Sequence, residues 1–240
     1  MGHGWEGVVL KLLRGRDFTF TVTGAEQVTE RCRRIRLTDG GMLAATGIHP
    51  TMWVRLWFDH TGRPHQRAYT LVDPDPVAGT FDLEFALHDG PASDWARAAT
   101  PGDTIQATVQ GSAFTLPDPA PRHLFLVGDS ASVPALNSLL TALPDTPATI
   151  WLETQHPSDH QLPLRTRPNR HEVRHVPRES GGAALTAELR STLPDLIGDP
   201  ADAYLWIACD TGTTRTLAQF ARKELALPKP RVHALGYWRP

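Results

Sequence analysis

The sequence predicts a chain of two domains, an antiparallel β domain followed by an α/β domain. Glycine and proline are frequent, with Gly 19 and Pro 21 among 240 residues, which is typical of many short elements separated by turns. Apolar and polar residues alternate with a period of two in the first half, whereas strand and helix patterns alternate in the second half. The hydrophobic share of 40% is enough to build cores without stabilising crosslinks.

Composition excludes several classes of protein. Lys+Arg 24 against Asp+Glu 26 gives a net charge of -2, so no basic field favours a nucleic-acid partner. The two cysteines, Cys32 and Cys209, show no CxxC spacing, which argues against a disulfide or zinc framework and favours a reducing compartment. Apolar runs such as residues 8–10 and 124–127 are far shorter than the about 20 residues that span a bilayer. Without a secretory leader either, we expect a cytoplasmic protein that does not insert into membranes.

The first half contains strands with one apolar face. Residues 18–23 alternate apolar residues with threonine, and residues 81–88 place four apolar side chains inward while Asp82 and Glu84 face solvent. Further strand-like segments occur at residues 32–37, 51–58 and 104–109. Closure of these strands into a barrel over roughly residues 16–116 would remove exposed strand edges.

The character of the sequence changes at residues 116–121, Leu-Pro-Asp-Pro-Ala-Pro, where three prolines favour an extended connection. We place the domain boundary there, giving domains at residues 1–117 and 118–240. The second domain is predicted to hold strands at residues 123–127, 149–154, 172–176, 204–208 and 232–235, and helices at 133–143, 184–193 and 213–225. Such alternation implies a parallel sheet with right-handed crossovers.

A first motif, Arg67-Ala68-Tyr69-Thr70, lies in a strand region of the predicted barrel. Arginine can hold a pyrophosphate with two hydrogen bonds, and a tyrosine two residues later lies on the same strand face, where it can pack on a ligand. The threonine hydroxyl can bind a heteroaromatic ring nitrogen. The alternative is an ordinary edge strand that carries a solvated arginine.

A second motif covers residues 88–96, where Gly90 and Pro91 lead into a short helix. The first backbone N–H groups of a helix have no partner within it, which makes them a site for phosphate oxygens. Alternatively, Ser93 caps the helix while Asp94 complements its dipole.

A third motif, Gly128-Asp129-Ser130, follows the first strand of the second domain. Ligands of open parallel sheets bind beyond the carboxyl ends of strands, so this position suits a cofactor or substrate. The motif is not a GxGxxG fingerprint, and a plain tight turn remains open. It also resembles the GxSxG elbow of serine hydrolases without the second glycine, so a hydrolase that uses Ser130 is an alternative.

Residues 171–175 satisfy the HExxH pattern of zinc proteases. They lie between Pro168 and Pro177, too confined for the long helix that such a site uses, and their valines favour a strand. We therefore predict no metal site.

Taken in order, these motifs resemble those of the siderophore-interacting protein family, flavin reductases of the ferredoxin-reductase type. The resemblance runs from about residue 18 to the end of the chain. It is carried by RxYT at residues 67–70, by His88 followed by GPASxWA at residues 90–96, by Gly128-Asp129 with Pro134-Ala135, and by GYWR at residues 236–239.

The resemblance implies a Greek-key FAD-binding barrel followed by a Rossmann-like, NAD(P)H-binding-like domain. It implies that Thr70 lies near flavin N5 and that Asp129 and Trp238 act on the nicotinamide side, with Arg239 and Arg215 attracting an anionic substrate. The residues that the resemblance assigns to FAD are Arg67, Ala68, Tyr69, Thr70, His88, Gly90, Pro91, Ala92 and Ser93.

The activity implied by the resemblance is an FAD-dependent ferric-siderophore reductase. NADH, NADPH or a protein donor would supply electrons through the flavin to chelated Fe(III), and the Fe(II) formed would be held less tightly. The chain departs from the family where glutamate usually follows Gly-Asp, here Ser130, and where Cys209-Asp210-Thr211-Gly212 replaces Ala-Gly-Glu. A flavin- or siderophore-binding protein without turnover, or a flavoprotein of a biosynthetic redox step, therefore remains an alternative.

Overall fold

The computed structural model describes residues 15–240. The chain divides into two compact units, the first ending at Phe114 and the second beginning at Thr115. No helix within residues 15–240 is both long enough and apolar enough to cross a bilayer. Residues 8–10 and the N-terminal segment that we inspected for a leader lie outside the described part.

The first unit is a closed barrel of antiparallel strands in the order β1-β2-β5-β4-β3-β6, the Greek-key arrangement that was predicted. A short helix lies between β2 and β3, and another lies between β5 and β6. The bounds are β1 Arg16–Thr29, β2 Cys32–Thr38, α1 Met42–Thr46, β3 Trp53–His60, β4 Arg63–Asp75, β5 Thr80–Ala86, α2 Pro91–Ala98 and β6 Thr104–Val109.

Strand β5 shows why the barrel closes and where the sequence prediction was wrong. Phe81, Leu83 and Phe85 point into the apolar core, as the alternation predicted. Asp82 and Glu84, expected in solvent, are each only 7% exposed. Each lies directly opposite an arginine of β2, and the arginines cover them: Arg36 Nε lies 3.1 Å from Asp82 Oδ1, and Arg34 Nη2 lies 2.5 Å from Glu84 Oε1. Opposite charges facing each other across an antiparallel pair thus replace water on the outer face.

The second unit is a parallel sheet of five strands in the order β11-β10-β7-β8-β9, which confirms the predicted parallel sheet. Its strands are β7 His123–Asp129, β8 Ala148–Thr154, β9 His171–Pro177, β10 Ala203–Ala208 and β11 Val232–Ala234, and its helices are α3 Val133–Ala142, α4 Ala183–Leu196 and α5 Thr211–Lys223. Because all strands run in one direction, their carboxyl ends share one edge of the sheet.

Gly128 and Asp129 were predicted to form a turn, but they are the last residues of β7. A Cβ atom on Gly128 would lie 2.3 Å from Ser132 Oγ and 3.0 Å from Leu136 Cδ1. The Ser132 hydroxyl accepts a hydrogen bond from the Asp129 amide at 2.9 Å and donates to the Asp129 carbonyl oxygen at 3.0 Å. Glycine is therefore needed because the first turn of α3 packs directly against the end of the strand.

We predict that Gly128→Ala destabilises the protein by about 1 to 3 kcal/mol, the usual penalty for forcing a methyl group into a packed site. Gly198→Ala is the matched control, since a Cβ there would meet nothing within 4 Å. Urea unfolding of both variants measures the difference. Equal midpoints for the two variants would show that the packing of Ser132 on β7 yields easily.

Candidate functional sites

The Arg67-Ala68-Tyr69-Thr70 motif lies in β4 of the barrel. Arg67 is exposed and its Nη1 donates only to the Gln66 carbonyl oxygen, at 2.9 Å, so within residues 15–240 no carboxylate neutralises it. Tyr69 packs on Phe85 with ring centroids 4.3 Å apart, and burial raises the pKa of its phenol far above the ordinary value. Thr70 is buried and Ala68 is exposed. The strand thus presents a free cation beside a neutral aromatic ring.

Helix α2 begins at the second motif, and Gly90 is its N-cap, with φ at 139°. Among residues 15–240, no side chain caps the helix. Ser93, considered as the cap, instead accepts a hydrogen bond from the His88 amide at 3.1 Å. The capping interpretation of Ser93 was therefore wrong, because its hydroxyl points back to the preceding loop. The first amides of α2 are left for another acceptor.

An aromatic cluster brings these two motifs together. Tyr69 of β4 and Trp95 of α2 both pack against Phe85, at 4.3 and 5.6 Å between ring centroids, and against Phe58, at 6.3 and 5.9 Å. The cluster therefore links Tyr69 of β4 to Trp95 of α2 through Phe58 and Phe85. We call this set the barrel site; it comprises Arg67, Ala68, Tyr69, Thr70, His88 and residues 90–93.

The third and fourth motifs also meet, at the carboxyl edge of the parallel sheet. Trp238 donates its ring N–H to Asp129 Oδ2 at 2.7 Å, and the Ala131 amide donates to Asp129 Oδ1 at 3.0 Å. Asp129 is only 1% exposed. Burial raises its pKa to about 7, although these two hydrogen bonds favour the charged form.

Arg178, which the sequence analysis did not single out, connects this pair to two more carboxylates. Its Nη1 donates to Glu153 Oε2 and, at 3.0 Å, to Asp210 Oδ2. Its guanidinium carbon lies 4.8 Å from the centroid of the Trp238 ring, a cation–π contact. We call Asp129, Glu153, Arg178, Asp210 and Trp238 the sheet-edge cluster. The available signal was positional, because Glu153 and Arg178 lie at the ends of predicted strands.

Asp210 has a structural role in the sheet-edge cluster. It is the N-cap of α5, where its Oδ1 accepts from the Gly212 and Thr213 amides at 2.8 and 3.0 Å and its Oδ2 accepts from Thr213 Oγ1 at 2.6 Å. Burial opposes the charged form, but these hydrogen bonds and Arg178 lower its pKa. The Thr211 amide and hydroxyl both donate to the Trp238 carbonyl oxygen at 2.9 Å, which ties the cap to the C-terminal segment.

The two arginines expected to attract substrate lie elsewhere on the second unit. Arg215 is exposed on α5, where it lines an open groove of about 440 Å³ together with Arg222 and Lys223. Arg239 is exposed after β11. In the described part of the chain, neither arginine is hydrogen-bonded to the sheet-edge cluster.

The alternative chemistries find no support in the described part of the chain. Ser130 is hydrogen-bonded to no histidine there, so the pairing that activates a serine nucleophile is missing. The HExxH residues 171–175 lie in β9, as the flanking prolines predicted. No group of three His, Cys, Asp or Glu residues within 15–240 is arranged to hold a metal.

The fold, an antiparallel barrel and then a parallel sheet, is that of ferredoxin reductases. Ferredoxin-NADP+ reductase from Plasmodium falciparum superposes with a TM-score of 0.71 at 12% identity, over 92% of this chain and 97% of that one. The siderophore-interacting protein SipS from Aeromonas hydrophila superposes with a TM-score of 0.77 at 24% identity, over 94% and 92%.

Sequence comparison identifies the family to which the chain belongs within this fold. Residues 121–240 match the siderophore-interacting protein family, and residues 44–112 match the siderophore-interacting FAD-binding domain. The chain therefore belongs to the siderophore-interacting protein family, which confirms the resemblance seen in the motifs.

Two curated relatives indicate the range of the family. The mycobactin import ATP-binding/permease protein IrtA of Mycolicibacterium thermoresistibile is 36% identical over 99% of this chain, but the match covers 26% of that protein. The chain thus spans about a quarter of the length of this relative. The ferric acinetobactin reductase of Acinetobacter baumannii is 26% identical over 79% of this chain and 67% of that protein.

Asp129 gives a prediction on stability and pH. Folding raises the pKa of the Asp129 carboxyl from 3.8 to about 7, so the folded state binds the proton of this carboxyl more tightly than the unfolded state does. The free energy of unfolding therefore falls as the pH rises from 3.8 to about 7. The fall amounts to roughly 4 kcal/mol at most. Asp129→Asn should flatten the dependence, because it cannot ionise.

Urea unfolding between pH 4.5 and 8 measures this slope. Asp195→Asn, which alters an exposed carboxyl, is the control and should keep the slope of the unaltered protein. An Asp129→Asn variant with the same slope as the control would place the titrating group elsewhere.

Proposed function

We propose that this chain is an FAD-dependent oxidoreductase that reduces ferric siderophores. The observation that carries the proposal is that the domain matching the FAD-binding family holds two sets of donors linked by one aromatic cluster. They are Arg67, which no carboxylate in the described part of the chain neutralises, and the start of α2, which no described side chain caps. The relative from Acinetobacter baumannii is named ferric acinetobactin reductase, which supports the same class of reaction.

The barrel site fits the pyrophosphate of FAD. Arg67 offers a planar fork of donors, and the amides of Ala92 and Ser93 offer further donors at the positive end of a helix. Gly90 adopts φ 139°, which L side chains rarely adopt, so the approach to these amides carries no side chain. Together these groups supply the charge and the hydrogen bonds that a diphosphate requires.

Tyr69 and Thr70 of the barrel site have roles that suit their surroundings. Tyr69, whose phenol stays neutral, would pack against the ring system and ribityl chain of the cofactor, and Thr70 would offer a hydroxyl to the ring. When bound, FAD supplies the relay of electrons from a reduced nicotinamide, or from a protein donor, to ferric iron. Asp129 and Trp238 would lie on the nicotinamide side, in the domain that matches the family at residues 121–240.

The substrate would be an anionic ferric chelate of a siderophore. Exposed arginines on the second unit, Arg215 and Arg239, would attract it through their charge. Reduction transfers one electron to Fe(III), and the Fe(II) formed binds hard oxygen donors less tightly, so the chelate opens. No side chain needs to act as a general base in this reaction.

A second candidate is a protein that binds flavin or a siderophore without turnover. Asp210 favours it, because both of its carboxylate oxygens are already occupied by the α5 cap and by Arg178. It would therefore offer little to an incoming nicotinamide.

An absorbance spectrum separates these functions. We expect purified protein supplied with FAD to show a flavin spectrum that bleaches with NADH or NADPH and recovers when a ferric chelate is added without oxygen. Bleaching by dithionite alone would favour a protein donor or the binding protein. Failure to retain FAD would exclude both flavin-based functions.

Arg67→Ala should weaken FAD binding by roughly 2 to 3 kcal/mol, because it removes a charge-assisted contact to a phosphate. Arg63→Ala is the matched control, since Arg63 is another exposed arginine of β4, and its FAD affinity should not change. Isothermal titration of apoprotein with FAD gives both affinities. If Arg67→Ala binds FAD as tightly as Arg63→Ala does, Arg67 does not belong to the cofactor site.

A further inference from the structure

The indole of Trp238 is held from two directions by charged side chains of the sheet-edge cluster. Arg178 lies over its face, with the guanidinium carbon 4.8 Å from the ring centroid. Asp129 accepts its ring N–H at the edge, at 2.7 Å. Trp238 lies near the end of the chain and belongs to no helix or strand, so these two contacts fix a ring that secondary structure does not.

We propose that Arg178 and Asp129 are positioning residues that hold the Trp238 indole by its face and its edge, and that protonation of Asp129 loosens the edge contact. The consequence for catalysis rests on the proposed function, in which Trp238 lies on the nicotinamide side.

Arg178 is itself fixed by two carboxylates. Glu153, which is fully buried, and Asp210, which is 2% exposed, both accept from its Nη1. Glu153 comes from β8 and Asp210 from the cap of α5, so the guanidinium is held between two elements. A guanidinium can pair with these carboxylates and lie over the indole at the same time, whereas a lysine ammonium is a single point charge with no planar group to place over the ring.

Asp129 responds to protons because it is buried, and nearby Glu153 adds to this effect, whereas its hydrogen bonds and Arg178 favour the charged form. The cluster has three carboxylates and one arginine, an excess of negative charge, and among the described residues Glu153 Oε1 is buried without a hydrogen-bond partner. A proton taken from solvent by Asp129 lowers this excess and leaves a weaker acceptor for Trp238 and Ala131. The charged or titratable groups around Asp129 are Glu153 of β8, Arg178 after β9, Cys209 after β10 and Asp210 at the cap of α5.

The backbone limits what this release can do. The Trp238 carbonyl oxygen accepts two hydrogen bonds from Thr211, and the Tyr237 amide donates to the Cys209 carbonyl oxygen at 2.8 Å. Loss of the edge contact therefore frees the indole to rotate while the chain stays in place. The cluster thus acts on the ring alone.

Fluorine NMR of protein labelled with 5-fluorotryptophan tests the face contact without any flavin. Trp238→Phe identifies the resonance of Trp238 among those of the other tryptophans. Arg178→Lys keeps the buried charge and removes the guanidinium group that lies over the ring, so we expect the Trp238 resonance to shift. Arg190→Lys is the matched control. The guanidinium carbon of Arg190 lies 4.7 Å from the centroid of the Phe220 ring and Arg190 pairs with Glu224, so this variant makes the same kind of change far from Trp238 in the sequence.

The expected result is a shifted Trp238 resonance in Arg178→Lys and an unshifted one in Arg190→Lys. An unshifted resonance in both folded variants overturns the positioning role of Arg178. Titration from pH 5 to 9 tests the edge: the resonance should move with pH in the unaltered protein and stay constant in Asp129→Asn. Identical titration in the two proteins overturns the release by protonation.

Measuring ferric-chelate reduction distinguishes the positioning role of Arg178 from the proposed reductase function. If the reductase function is correct, Arg178→Lys should lower the rate of ferric-chelate reduction by roughly tenfold to a hundredfold, the effect of displacing a positioning group. FAD affinity should not change. A shifted Trp238 resonance with full reductase activity would keep the positioning role and remove Trp238 from the proposed reaction.

Discussion

The carboxyl edge of the parallel sheet depends on one buried cation. Arg178 lets Glu153 and Asp210 remain charged where water is excluded, since an unpaired carboxylate in such a place costs several kcal/mol. Its charge joins the end of β8 to the cap of α5, and its plane supports Trp238. Under the proposed function, the residues on the nicotinamide side are thus organised by ion pairs to Arg178 rather than by loop packing.

The barrel site is organised by the opposite kind of interaction. Phe58 and Phe85 both contact Tyr69 of β4 and Trp95 of α2, while among the described residues no carboxylate pairs with Arg67 and no side chain caps α2. Apolar contact has no strict geometry, so the aromatic rings can hold the elements while the donors remain available. Under the proposed function, these donors remain available to the phosphate groups of the cofactor.

The strands and helices could be predicted from the sequence, but the side-chain contacts between elements far apart in the chain could not. Period-two alternation identified β5, yet it placed Asp82 and Glu84 in solvent, because burial of their charge depends on arginines in β2. Gly128 was predicted to be a turn residue. The structure shows that glycine is needed there because the Ser132 hydroxyl packs against it, and such a contact cannot be predicted from the local sequence. Arg178 followed a proline and resembled a surface charge. Arg178 lies between the buried Glu153 and Asp210 only because the parallel strands end at the same edge of the sheet.

The departures from the family pattern make sense as charge balance in the sheet-edge cluster. Ser130 is partly buried and follows Asp129 directly in the chain, so a glutamate at this position would add a carboxylate next to a cluster that has three carboxylates and one arginine. Asp210 is shorter than glutamate, and its two oxygens reach the backbone of α5 and Arg178 together. A neutral residue at 130 and a short acid at 210 are therefore mutually consistent: both keep the negative charge within what Arg178 and one proton can balance.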